Sequence, residues 1–251
     1  MGLIVSVNTA GMQYNDPPMS KLVTDQTLQA RINLYYDLQH ASNSPAPLLI
    51  ALHGYGAFKE QMMREAQQMA PDGFTIASLQ GFHQHMKEPR QPGGPPRYAF
   101  GWLTSYRSEE SVAVHHQALI DLIDELASDG VADPSRVFLL GFSQSCALNY
   151  RFAFTHPERL RAVVGICGGI PGDWDTSTVY RQAPIDVFHL AGTEDEFYPP
   201  SRVADYEKQL GTRARSVASK SYPAAHEIVS EMRSDVKQWL ARQCSFVTAS
   251  D

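Results

Sequence analysis

Short apolar runs and longer stripes with helical spacing alternate along the chain. Strand-like runs fall at residues 3–7, 31–37, 48–52, 74–79, 136–140, 161–167, 185–191 and 216–221. Helical segments fall at 59–70, 109–129, 144–154, 201–210 and 227–241. In the first helix Met62, Ala66, Met69 and Ala70 recur at helical spacing; in the second, Val112, Leu119, Leu122, Ile123 and Leu126 share one face. Ile228, Met232, Val236 and Leu240 form the stripe of the last. Such alternation predicts an α/β fold with a mostly parallel sheet and helices on both faces. The first two runs are expected to form an antiparallel edge. No internal repeat and no linker interrupts the pattern, so residues 1–251 read as a single domain.

One stretch breaks the rhythm. Residues 80–106 are rich in Gly, Pro and aromatics and read as irregular. Connections longer than about 12–15 residues are usually functional or disordered. Phe82, Tyr98, Phe100, Trp102 and Tyr106 either wall a substrate pocket or pin the loop down. On the first reading the loop is a pocket insertion, with Trp102, Phe100 and Tyr98 as wall residues.

Composition narrows the class. At 43% hydrophobic and 19% charged residues the chain is globular. Its net charge of −6, with no basic run, argues against nucleic acid or an anionic membrane as partner. Three cysteines without metal spacing read as reduced thiols of a cytoplasmic protein. No apolar stretch approaches the roughly 18 residues of a transmembrane helix, and no secretory signal is evident. Residues 1–6 formally fit an N-myristoylation pattern, but no second membrane signal accompanies it, and no stable anchoring is expected.

Candidate chemistry centres on Gly141-Phe142-Ser143-Gln144-Ser145. An apolar strand ends in this pentad and a helical pattern follows at once. A serine on so sharp a turn has its Oγ thrust above the sheet end, with small residues two before and two after because strand and helix nearly touch. Centring on Cys146 would put Gln144 and Leu148 at the crowded positions; centring on Ser145 moves the turn into the helix. Ser143 is therefore the expected nucleophile of an α/β-hydrolase elbow. In that fold an acid and then a histidine follow the serine. His156, His189 and His226 follow it here. His156 ends a helix and His189 sits inside an apolar strand, which leaves His226, in SYPAAHEI, as the base. The acid belongs in the loop after the strand at 185–191, which reads Gly192-Thr193-Glu194-Asp195-Glu196. Asp195 is the choice and Glu194 the runner-up. Its task is to hold the histidine tautomer and stabilise the imidazolium. Backbone N–H groups of Gln144 and of Tyr55, in Leu52-His53-Gly54-Tyr55-Gly56, are expected to form the oxyanion hole. His83 and His85 lack a third ligand at useful spacing, so no metal is expected.

LHGYG, GFSQS, GTEDEFYP and the late histidine together resemble the phospholipase/carboxylesterase family, which includes the acyl-protein thioesterases. The resemblance covers about residues 45–241. It implies the same assignments for Ser143, Asp195, His226, Tyr55 and Gln144, and hydrolysis of carboxylic esters, short-chain ones by the pocket reading, through an acyl-serine without a cofactor. Thioesterase and lysophospholipase activity are the close alternatives; a non-catalytic ligand receptor on the same fold is the alternative of another class. The chain departs from the family pattern at Ser145-Cys146, where a glycine pair is usual, and at Ala191 and Thr193, where histidine and aspartate are common. These departures leave the chemistry intact and the substrate open.

Overall fold

The computed structural model describes residues 22–245. By contacts the chain divides into two units, Met1–Asn33 and Leu34–Asp251. Of the first, residues 22–33 contain no helix or strand. The expected strand at 3–7 and the pattern at 1–6 lie outside the described residues.

The second unit holds a seven-stranded sheet. Its strands are β1 (Tyr36–Gln39), β2 (Ala46–Leu52), β3 (Thr75–Leu79), β6 (Ala132–Phe142), β7 (Ala162–Ile166), β8 (Asp186–Gly192) and β9 (Ser216–Tyr222). The order is β1-β3-β2-β6-β7-β8-β9, with β1 antiparallel and the rest parallel. A parallel strand buried on both faces reads as a continuous apolar run. In β2, Leu48, Ile50 and Leu52 enter one core while Leu49 and Ala51 enter the other. The first core is closed by α2 (Ser108–Ser128) and α3 (Gln144–Thr155), the second by α1 (Lys59–Met69) and α6 (Ser230–Ser245).

Three expectations are corrected. The edge strand begins at Tyr36 rather than residue 31, because its partner β3 ends at Leu79 and the last rung is Gln80 N–H to Tyr35 O. Residues 80–106 are not irregular throughout: β4 (His83–Lys87) and β5 (Arg97–Gly101) pair as an antiparallel hairpin. Its polar sequence, His-Gln-His-Met-Lys, hides a strand that alternates half-buried and exposed. The segment 201–210 is split into α4 (Pro200–Val203) and α5 (Tyr206–Gly211).

Candidate active site

Ser143 lies between the end of β6 and the start of α3, at φ 57° and ψ −115°. A positive φ at a non-glycine residue costs energy, and here it falls on the sharp strand-to-helix turn. The turn is held from both sides. Ser143 N–H donates to Ile166 O at 2.9 Å. The buried Ser145 hydroxyl accepts from Phe142 N–H at 3.0 Å and donates to Leu52 O at 2.8 Å. The serine that replaces the expected glycine thus ties the elbow to the end of β2. Gly141 leaves little room for a side chain, since a Cβ there would lie 2.7 Å from Asn149 Nδ2 and 3.2 Å from Cys146 N.

His226 Nε2 is 2.9 Å from Ser143 Oγ, and its Nδ1 is 2.8 Å from Asp195 Oδ2. These three residues come from loops after β6, β8 and β9, at one end of the sheet. The pairing of β8 with β9 continues past both strands: Thr193 N–H donates to Tyr222 O and Glu194 N–H to Ala224 O. A Cβ on Gly192 would stand 2.3 Å from Ala224 O, so only glycine lets the two loops close. Asp195 is 2% exposed, whereas Glu194 is exposed. Asp195 Oδ1 accepts from Phe197 and Tyr198 N–H, each at 2.9 Å. Burial pushes the Asp195 pKa up, but the bonds from His226 and the two backbone N–H groups outweigh it, and the carboxyl lies below its ordinary value. The His226 ring is wedged against Phe142 and Phe197, with centroids 5.0 and 4.8 Å away.

The loop after β2 reaches the serine because Gly54 has no side chain; a Cβ would lie 3.2 Å from Ser143 Cβ. Gly56 N–H is taken by Phe100 O at 2.7 Å, while Tyr55 N–H has no acceptor among the described residues. His53 Nδ1 lies 2.7 Å from Gly54 O, and its Nε2 faces Gly81 N–H at 3.0 Å and the Gln80 amide at 2.9 Å. Gly81 N–H can only donate, so Nε2 accepts and Nδ1–H donates to Gly54 O. Burial lowers the His53 pKa to about 4, which keeps that tautomer neutral.

The aromatic stretch behaves differently from expectation. Trp102 is fully buried and its indole donates to His53 O at 2.8 Å, so it is a pin and not a pocket wall. Tyr98 is exposed on the hairpin and Phe100 is half-buried against Phe58. A cleft of about 330 Å³ opens beside His226, lined among others by Gly54, Met62, Arg64, Phe142 and Ile228. None of the three expected wall residues lines it. His83 bonds Ser111 Oγ at 2.8 Å and His85 stacks on Tyr55. Among the described residues no group of three or more His, Cys, Asp or Glu could hold a metal ion. His189 is buried against Tyr150 OH, and His156 faces Glu158 at the end of α3. Sequence reasoning missed the parts played by His53, Gln80 and Lys87; the Lys87 ammonium donates to Gly56 O at 2.8 Å from the hairpin. The only local trace was a histidine before a glycine pair.

A mostly parallel sheet, helices on both faces and a serine on a strand-to-helix elbow define the α/β-hydrolase class. The chain belongs to the phospholipase/carboxylesterase family, whose model matches residues 35–244. A carboxylesterase from Bacillus cereus superposes with a TM-score of 0.67 at 19% identity, over 84% of this chain and 94% of that one. A carboxylesterase from Mesorhizobium loti gives 0.66 at 23% identity, over 82% and 93%. NocK of Nocardia uniformis subsp. tsuyamanensis, named as a candidate esterase, is 27% identical over 172 residues, which is 65% of this chain and 46% of that protein. The chain thus spans about half the length of this curated relative.

Proposed function

We propose that this protein hydrolyses carboxylic esters through an acyl-serine intermediate. One observation carries the reading: on a strained elbow, His226 bridges Ser143 Oγ and a buried Asp195 at 2.9 and 2.8 Å. Ser143 Oγ attacks the carbonyl carbon while His226 Nε2 takes its proton. Asp195 accepts from Nδ1–H, which fixes the tautomer and stabilises the imidazolium. The N–H groups of Tyr55 and Gln144 receive the developing oxyanion. Collapse breaks the bond to the alcohol oxygen, which leaves with the proton from His226. Water then attacks the acyl-serine by the same route and releases the acid. The chemistry calls on no cofactor.

The cleft beside His226 is lined in part by Met62, Phe142 and Ile228, apolar side chains that suit a small ester as substrate. No helix among the described residues is long and apolar enough to cross a membrane. Together with the three free thiols, this supports a cytoplasmic enzyme without stable membrane anchoring. The acidic balance of the chain disfavours nucleic acid as a partner.

The test is direct. Ser143→Ala and His226→Ala each lose several orders of magnitude in ester turnover with the fold intact, and the double variant loses little more, because such residues act as a unit. A fluorophosphonate labels the wild type and not Ser143→Ala. Turnover retained in Ser143→Ala overturns the mechanism, and absence of labelling in the wild type favours a non-catalytic receptor. A panel of acyl lengths, with thioesters and lysophospholipids included, peaks at short esters.

A further inference from the structure

Both halves of the oxyanion hole are tied to one short segment, residues 101–103, which follows the hairpin. Gln144 supplies one N–H from the first turn of α3, and its side chain turns back onto this segment. Its Oε1 accepts from Trp102 N–H at 2.8 Å and its Nε2 donates to Leu103 O at 2.9 Å. The Trp102 indole in turn donates to His53 O, and His53 donates to Gly54 O. In a trans peptide the C=O and N–H point in opposite directions. Holding Gly54 O against His53 therefore aims Tyr55 N–H the other way. A chain of hydrogen bonds runs from Gln144 through Trp102 and His53 to the peptide carrying the second donor.

We propose that the side-chain amide of Gln144 is a positioning residue: clamped on the backbone of Trp102 and Leu103, it sets the spacing and aim of the two oxyanion donors. The inference rests on the esterase reading above. The site needs a donor and an acceptor side by side on a two-carbon stem, which only glutamine provides. Glutamate would set a carboxylate oxygen against Leu103 O, methionine offers neither bond, and asparagine is one methylene short. The groups held are aimed at charge that develops in the transition state, so their misplacement acts on turnover more than on binding.

The experiment compares Gln144→Glu and Gln144→Met with the wild type. Expected is a fall in kcat of about 10–100-fold, in the range for small misplacements at a reacting centre, with KM within about threefold. Affinity for an alkyl trifluoromethyl ketone, whose adduct with the serine carries the oxyanion, falls in parallel with kcat/KM. A merely structural role moves the melting temperature without that parallel. Should Gln144→Glu fail to fold, Gln144→Met keeps the stem and its burial and carries the test. Wild-type kcat and inhibitor affinity in a folded variant overturn the proposal, as does a loss confined to KM. Failure of the esterase reading itself is separate: it shows as a wild type that fluorophosphonate does not label, whatever the Gln144 variants do.

Discussion

At the scale of single residues, environment decides between chemically similar neighbours. Glu194 and Asp195 are adjacent carboxylates, yet Asp195 is buried and accepts three hydrogen bonds while Glu194 is exposed. Asp195→Asn is expected to lower kcat by about 10⁴-fold, the loss typical when a triad carboxylate is neutralised. Glu194→Gln leaves activity within a fewfold. Steady-state kinetics on both variants checks this, and the opposite ranking would move the acid to Glu194. Ser145 bridges Leu52 O and Phe142 N–H. Ser145→Ala removes the bridge and is expected to cost about 1–3 kcal/mol in urea unfolding, the penalty for stranding buried polar groups.

At the scale of elements, the loops after β8 and β9 and the segment after the hairpin do the positioning. Gly192→Ala must push its Cβ away from Ala224 O, which would otherwise lie at 2.3 Å, and so displaces the strand ends that carry Asp195 and His226. The expected outcome is a stability loss of about 1–3 kcal/mol together with a drop in kcat. Unchanged kinetics would separate the strand register from the site. Trp102 is fully buried between His53, Phe82 and His115. Trp102→Ala is expected to destabilise by about 3–5 kcal/mol and to lower kcat, without moving the preferred acyl length. A shifted length optimum in a folded variant would return Trp102 to the pocket.

At the scale of the whole molecule, buried neutral histidines set an acid limit. Burial lowers the pKa of His53 to about 4, of His115 to about 3 and of His189 to about 4, against 6.5 for the free side chain. Between about pH 6.5 and 4 the unfolded chain binds protons that the folded chain refuses. Stability is therefore complete above the unfolded value and falls as pH drops through this window. The expected slope is about 1.4 kcal/mol per histidine per pH unit. Urea midpoints at pH 7.5, 6.5 and 5 test it, because carboxylates titrate mainly below that range. Equal midpoints across those three values would contradict it.

What the sequence alone determined is whatever local sterics and periodicity dictate. Wholly apolar runs such as residues 48–52 specify strands buried on both faces, and helical stripes specify the layers that cover them. The pentad around Ser143 specifies a crowded turn, and the order of residues after it singles out His226. The tertiary structure decided what depends on contacts between distant segments. It buried Asp195 and left Glu194 in solvent, paired a polar hairpin within residues 80–106, and turned Trp102 from wall to pin. It brought α1 and the loop after β9 together around a cleft beside His226. It also joined Gln144 to residues 102 and 103, some forty positions away in the chain. None of these has a local signature, because each is set by which strand ends meet at one edge of the sheet.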